Sequence, residues 1–459
     1  MLTELFGTDG IRGIAGQGLT AELALNVGKA AGLVLGKNQG HCLIGTDTRE
    51  SANMLEAALA TGLMSMGMDV TLVGVIPTPG VAYLTRTLNY TCGVVISASH
   101  NPYNYNGIKF FSQDGYKLPD QVEEELEDYL LKRKEFPENT ESFGRLTLDP
   151  SLAKQYTRYL QSLCPHKLSG LKIALDCGNG ALSKIAPYVL TSLGANVFAL
   201  NTTPNGRNIN LDCGSTNPKV IQNLVLSKEA DLGFSFDGDA DRIIAVDNKG
   251  RIVDGDHILA ICAHHLHQKD QLNGGVVGTV MSNLGLKKYL KSIDVNFIEA
   301  KVGDRYVLEE MRENGYVLGG EQSGHIIFTD YNTTGDGLAT GLHLIEVMLE
   351  SQKSLADLND LMTSYPQVLV NARVLDHKKK SYLEDDVLEK SIEALEKKYE
   401  DNGRILIRPS GTEPLIRVMI EGTNLDEMRE DAQVLADLIQ EQLGGEWWTT
   451  NLLAIPVWT

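Results

Sequence analysis

No two of the six cysteines, Cys42, Cys92, Cys164, Cys177, Cys213 and Cys262, stand in a CxxC pair. The sequence therefore suggests neither a zinc knuckle nor a disulfide framework, and a reduced set of thiols is expected. No apolar run approaches the roughly 18 residues that a membrane helix needs. The first residues, Met1-Leu2-Thr3-Glu4, show no basic stretch leading into an apolar one, as an export signal would. These absences predict a cytoplasmic protein with no membrane partner. Basic charge is scarce: Lys and Arg number 41 against 60 Asp and Glu, a net charge of -19. That balance argues against non-specific binding to nucleic acid or anionic membranes, and any anionic substrate would need a local cationic pocket. The Walker pattern GxxxxGK[ST] is absent too.

What is present is the composition of a globular protein, 42% apolar with 45 glycines, in 459 residues. That length predicts three or four domains. Three stretches share one plan: an apolar strand, a loop of Gly, Asp or Asn, an amphipathic helix and a second strand. The first runs from Cys42 through a helix over 51–67 to Val70-Thr71-Leu72-Val73. The second runs from Lys172 through a helix ending at Leu193 to Ala195-Asn196-Val197-Phe198. The third runs from Gly275 through a helix beginning at Asn283 to Val295-Asn296-Phe297-Ile298. Strand–helix–strand units of this length imply parallel or mixed sheets, and their recurrence reads as three similar α/β domains. Boundaries near 150, 254 and 366 divide the chain into 1–150, 151–254 and 255–366. After these, 367–443 alternates strands and charged helices as a smaller α+β domain with an antiparallel sheet. The tail 444–459 holds all three tryptophans, Trp447, Trp448 and Trp458.

Several loops carry chemistry. Gly93-Val94-Val95-Ile96 reads as a buried strand that feeds Ser97-Ala98-Ser99-His100-Asn101-Pro102, so Ser99 is expected where a strand ends, the place where open α/β sheets bind ligands. A turn with a capping serine would look the same locally. Lys109 lies a few residues on. Asp237-Gly238-Asp239-Ala240-Asp241-Arg242 puts carboxylates at i, i+2 and i+4, which repel unless a cation sits among them. Arg242 and Asn248 stand where an EF-hand needs glycine and glutamate, so an all-oxygen Mg²⁺ site fits better. A solvated acidic turn or an Asp241–Arg242 ion pair is the plainer alternative. Arg408-Pro409-Ser410-Gly411-Thr412-Glu413-Pro414-Leu415-Ile416-Arg417 offers two arginines, two hydroxyls and a glycine that frees backbone N–H groups, as a phosphate cradle would; a hairpin loop is its alternative. Gly320-Glu321-Gln322-Ser323-Gly324-His325 suits a hydroxyl-rich ligand, and Lys301 and Arg305 add cations nearby. Near the start, Phe6-Gly7-Thr8-Asp9-Gly10-Ile11-Arg12-Gly13 offers a close-approach loop with an anion donor in Arg12. A serine, a metal site and cationic clamps are what phosphoryl transfer needs. A serine hydrolase is disfavoured, because Ser99 and His100 are chain neighbours and no GxSxG elbow surrounds the serine.

On these five motifs, in this order over about 1–443, the chain resembles the α-D-phosphohexomutases, and among them the bacterial phosphoglucosamine mutases. The resemblance implies four domains around a central cleft, three α/β and the last α+β. It implies that Ser99 is a phosphoserine, and that Asp237, Asp239 and Asp241 bind Mg²⁺ together with it. Lys109 and His325 would be the acid/base pair, with Arg12 and His100 lining the phosphoryl site. Glu321 and Ser323 would read sugar hydroxyls, while Arg408, Ser410, Gly411, Thr412 and Arg417 would clamp the non-reacting phosphate. Arg242, Lys301 and Arg305 join the expected binding set. The implied reaction interconverts glucosamine 6-phosphate and glucosamine 1-phosphate through a bound glucosamine 1,6-bisphosphate, in amino-sugar and cell-wall precursor synthesis. A phosphomannomutase/phosphoglucomutase of the same superfamily is the alternative, and a non-catalytic phosphosugar binder a weaker one. The implied partners are a phosphosugar and a second copy in a homodimer. Ala240 stands where many members carry glycine, which a negative φ there would tolerate.

Overall fold

The fold is described from a computed structural model, for residues 5–7, 9–36, 40–138, 142–400, 402–410 and 413–444. These residues form two compact units, one within Met1–Ser282 and Leu290–Leu361, the other within Asn283–Tyr289 and Met362–Thr459. The tryptophans of the tail, together with Thr8, Gly411 and Thr412, lie outside the described residues.

The first unit holds three sheets. In the first, β1 (Ile11–Ile14), β2 (His41–Thr46), β3 (Asp69–Val75), β4 (Cys92–Ile96), β5 (Tyr105–Ser112) and β6 (Leu146–Leu148) are ordered β1-β5-β4-β2-β3-β6. The second contains β7 (Lys172–Asp176), β8 (Asn196–Leu200), β9 (Leu232–Phe236), β10 (Ile243–Asp247) and β11 (Ile252–Val253), ordered β11-β10-β9-β7-β8. The third contains β12 (Gly275–Thr279), β13 (Asn296–Ala300), β14 (Leu318–Gly320) and β15 (Ile326–Phe328), ordered β13-β12-β14-β15.

One arrangement repeats. A central strand (β2, β7, β12) pairs in parallel with the next strand in the chain (β3, β8, β13) and, on its other side, with the one after that (β4, β9, β14). The last of these then turns back on itself, so that β5, β10 and β15 run antiparallel to it. Parallel neighbours require a long crossover, here supplied by helices such as Ala52–Ser65, Ile185–Ser192 and Leu284–Ser292. The antiparallel return needs only a short loop. Those three loops, after β4, β9 and β14, are the Ser99, Asp237–Asp241 and Glu321–His325 stretches. The sequence motifs thus occupy one topological position in three repeats.

The strands that deliver these loops are rigidly placed. Residues of β4, β9, β10 and β12 are buried throughout, as expected where helices cover both faces of a sheet. Val94, Ile96 and Ile108 join Leu55, Leu59 and Val27 in one core under the first sheet. All six cysteines are free and buried. The charged segment after 120 forms a helix only over Asp120–Leu130, with Asp120 and Glu123 in its first turn, where the helix dipole favours acids.

The second unit is built on an antiparallel sheet, β16 (Gln367–Arg373), β17 (Arg404–Pro409) and β18 (Leu415–Glu421), ordered β16-β18-β17. Helices Asp386–Tyr399 and Leu425–Leu443 bury Leu388, Met428, Leu435 and Ile439 against Val368, Ile416, Val418 and Ile420.

Candidate active site

Ser99 closes the end of β4 in a loop fixed from three directions. Its own N–H donates to Ser97 Oγ at 3.0 Å, and Ser97 Oγ donates to Asp47 at 2.5 Å. Arg49, ion-paired with Asp47, donates to the carbonyl oxygens of Ser99 at 3.2 Å and Asn101 at 2.5 Å. Asn210 Nδ2 donates to the same Ser99 carbonyl at 2.8 Å. Asp47, Arg49 and Ser97 are all buried. Ser99 itself has φ of +53°, a left-handed conformation rare for a residue with a Cβ.

The Asp237–Arg242 loop lies directly against this serine. A Cβ on Gly238 would come within 2.7 Å of the Ser99 carbonyl oxygen, so only glycine allows the approach. Ser99 Oγ donates to Asp237 Oδ2 at 2.6 Å. The Asp237, Asp239 and Asp241 carboxylates are buried and offer ligand atoms within 4.8 Å of one another. Burial, added to the charges of Asp241 and Asp239, raises the Asp237 carboxyl well above its ordinary range. Burial pushes Asp241 the same way, but Lys109, His325 and Arg242 overcome it and hold that carboxyl low. Asp239 Oδ1 and Asp241 Oδ1 are buried with no hydrogen-bond partner among the described residues. Unpaired buried oxygens of this kind call for a cation, and the all-oxygen donor set fits a hard one. The Arg242 Nε lies 4.0 Å from Asp241 Oδ1 and makes no hydrogen bond to it, so an Asp241–Arg242 pair does not satisfy the loop. Ala240 has φ of +59°. The negative φ that would accommodate its methyl is not what the loop adopts, and the residue carries backbone strain instead.

Lys109, on β5, reaches across to the same carboxylates. Its Nζ lies 3.0 Å from Asp239 Oδ2 and 3.5 Å from Asp241 Oδ2. Burial opposes its charge, yet those two acids more than compensate and raise its pKa. His100 Nδ1 sits 3.4 Å from Ser99 Oγ and 3.3 Å from Arg242. Burial, with the Arg242 and Arg12 charges, pushes it down to about 4, so it is neutral at physiological pH. Arg12, on β1 opposite Gly107 of β5, is paired with Asp9 at 3.2 Å and has a buried Nε with no hydrogen-bond partner among the described residues.

The third loop enters by another close approach. At Gly324, with φ of +92°, a Cβ would lie 1.9 Å from the Ile243 carbonyl oxygen at the start of β10. His325 follows, buried, with Nδ1 3.7 Å from Asp241 and Nε2 3.5 Å from Asp304. Burial disfavours its charge, but the Asp241 and Asp304 carboxylates outweigh that and raise its pKa. Glu321 accepts the Gly303 N–H at 3.0 Å, and Ser323 is exposed.

Around Lys301 and Arg305 the structure departs from expectation. Lys301 lies over the Tyr306 ring, and Arg305 is engaged by Asp120, Glu123 and Glu309. Asp304 between them is the residue that faces His325. It also pairs with Lys117 at 2.7 Å, and Lys117 lies 3.4 Å from Asp9. Asp304, Lys117, Asp47, Arg49 and Asn210 escaped sequence reasoning. Asp47 and Arg49 had a faint signal, a polar Thr-Asp-Thr-Arg loop ending the first strand of the first repeat.

In the second unit, Arg408 of β17 and Arg417 of β18 stand directly opposite each other in the register. Burial and the Arg417 charge lower the Arg408 pKa. Ser410, between them in the chain, is buried, and its Oγ accepts the Glu413 N–H at 3.2 Å.

The chain matches four domain families, described as Phosphoglucomutase/phosphomannomutase alpha/beta/alpha domain I over residues 3–136, domain II over 154–250, domain III over 254–365 and C-terminal domain over 369–438. A phosphoglucosamine mutase of Alkaliphilus oremlandii (strain OhILAs) is 54% identical over 446 residues, covering 96% of this chain and 99% of that one. Among solved structures, a phosphoglucomutase/phosphomannomutase family protein from Burkholderia thailandensis superposes with a TM-score of 0.79 at 26% identity, over 95% of this chain and 97% of that one. The fold is shared as well with the N-acetylphosphoglucosamine mutase of Aspergillus fumigatus, solved in complex with GlcNAc-6P and magnesium, at a TM-score of 0.66, 18% identity and 95% coverage of each chain. The chain belongs to the phosphoglucomutase/phosphomannomutase family, and within it to the phosphoglucosamine mutases.

Proposed function

We propose that this protein interconverts glucosamine 6-phosphate and glucosamine 1-phosphate through a phosphoserine at Ser99 and a bound glucosamine 1,6-bisphosphate. The observation that carries this is the contact of Ser99 Oγ with Asp237, 2.6 Å, inside a cluster of three buried carboxylates. A non-catalytic sugar binder has no use for such a cluster.

Asp237, Asp239 and Asp241 would hold Mg²⁺ with an oxygen of phospho-Ser99, and the two unpartnered carboxylate oxygens fit that role. The ion, when bound, supplies neutralisation of phosphoryl charge. In the forward half-reaction a sugar hydroxyl attacks the phosphorus of phospho-Ser99. The bond from phosphorus to Ser99 Oγ breaks, the leaving Ser99 oxygen takes up a proton from an acid, and the attacking hydroxyl gives its proton to a base. Lys109 and His325 are proposed as the proton carriers, because both lie against Asp241. Arg12, His100 and Arg242 would line the phosphoryl site. Glu321 and Ser323 would read the sugar hydroxyls, and Arg408, Ser410, Gly411, Thr412 and Arg417 would hold the phosphate that is not in transfer. Lys301 and Arg305 are left out, since the first is stacked on Tyr306 and the second is consumed by carboxylates.

The amino-sugar preference rests on the 54% identical relative, and a phosphomannomutase/phosphoglucomutase is the competing substrate class. The proposal places the enzyme in the cytoplasm, in amino-sugar supply for the cell wall, as a homodimer. No helix among the described residues is long and apolar enough to cross a membrane. Intact mass before and after phosphatase, joined to assays on glucosamine, glucose and mannose phosphates, tests the reading. Preferred turnover of a glucose or mannose phosphate would replace the substrate, and a protein never phosphorylated during turnover would remove the mechanism.

A further inference from the structure

Away from the Ser99 site, three elements of the first unit bring imidazoles and carboxylates together. Glu346 and Glu350 lie four residues apart on the helix Gly337–Ser351 and so share one face. His166 follows the helix Ala153–Ser162, and its ring offers a ligand atom that, with one from each glutamate, forms a set all within 4.8 Å of one another. His265, on the helix Gly255–Gln268, places Nε2 2.9 Å from Glu350 Oε2. That nitrogen is buried and makes no hydrogen bond among the described residues, so the proximity is not a hydrogen-bonded pair.

We propose that His166, His265, Glu346 and Glu350 form a binding site for a divalent transition ion of the zinc class. Two imidazoles with two carboxylates suit zinc or cobalt, whereas the all-oxygen cluster beside Ser99 suits magnesium. The two sites are therefore chemically sorted. His166 is 40% and Glu350 28% exposed at the side chain, so an ion can reach the site from solvent. The place is contested by Lys269, whose Nζ lies 2.5 Å from Glu350 Oε2, and by His343, whose Nδ1 lies 3.0 Å from Glu346 Oε2. A metal there would displace that ammonium, leave the second Glu346 oxygen to His343, and tie the turn after Ala153–Ser162 to the helix Gly337–Ser351.

The test is titration of the tag-free full chain with Co²⁺ in excess Mg²⁺, following the visible d–d bands and the melting temperature. One Co²⁺ with intense, imidazole-type bands, displaced by Zn²⁺, is expected, together with a rise in melting temperature. His166→Ala and Glu350→Gln should each weaken binding by about tenfold or more, while Lys269→Gln tightens it. His166 is exposed enough that its loss leaves the fold intact, and sugar-phosphate turnover with Mg²⁺ should be unchanged in all three variants. Absence of such bands in the wild type, equal binding by His166→Ala and Glu350→Gln, or weaker binding by Lys269→Gln would each overturn the site.

Discussion

Ser99 and Ala240 both hold left-handed backbones, at φ of +53° and +59°, without being glycine. For an L-residue that conformation costs roughly 1–2 kcal/mol, and a glycine pays back part of the relief, roughly 0.5–1 kcal/mol, in unfolded-chain entropy. Ala240→Gly should therefore stabilise the protein by about 0.5–1 kcal/mol, read from urea unfolding; a loss of stability would show that the loop stores no strain there. At Ser99 the interest is chemical. Ser99→Ala removes one buried hydroxyl, so melting should stay near wild type while phosphoryl transfer disappears. Mutase activity surviving in that variant would end the phosphoserine assignment. The residues of this loop were plain in the sequence, but its conformation was not. The Ala240 carbonyl accepts the Gly337 N–H, a contact 97 residues away in the chain that no local signal announces.

The return loop after a parallel strand is the element that recurs. Its hydrophobic strands and Gly/Asp punctuation made the three repeats legible, because those signals are local. Asp47, Arg49 and Asn210 were not legible as supports of Ser99: they meet the loop across separations of 50 residues or more, where no periodicity speaks. Lys301 and Arg305 differ for the converse reason, since composition shows a cation but neither the Tyr306 ring under Lys301 nor the acids that engage Arg305. In the second unit, Arg408 and Arg417 face each other across β17 and β18. Like charges directly opposite destabilise a sheet; Glu413, with Oε2 3.4 Å from Arg417 Nη2, offsets part of that, and a bound anion between the arginines would offset more. Arg417→Ala should lower kcat/KM by about one to two decades, from the roughly 1.5–3 kcal/mol of a charged hydrogen bond, mostly through KM. Melting temperature should hold or rise. A large fall in melting temperature with KM unchanged would make these arginines structural instead.

At the scale of the whole chain, pH enters through Asp336, which joins sequence from two of the repeats. Its carboxylate accepts the Tyr156 hydroxyl at 2.9 Å and the Ala339 N–H at 3.0 Å, but burial outweighs both and holds the group up to about 6. An acid raised above its ordinary 3.8 binds its proton more tightly in the folded state. Its contribution is complete below about pH 4 and is lost as pH rises through 6. Wild-type stability relative to Asp336→Asn should thus fall by roughly 2–2.5 kcal/mol between pH 4 and 7, measured by urea unfolding at a series of pH values. A flat difference would mean the carboxyl ionises freely in the fold. The six buried cysteines have a different consequence. Burial pushes the Cys213 thiol up to about 12, and the others are equally enclosed. A native molecule should ignore alkylating reagents, and each opened one should gain adducts in steps resolvable by mass spectrometry. The chain thus carries an intrinsic clock of its own unfolding, with the peptides that react first naming the domain that opens first.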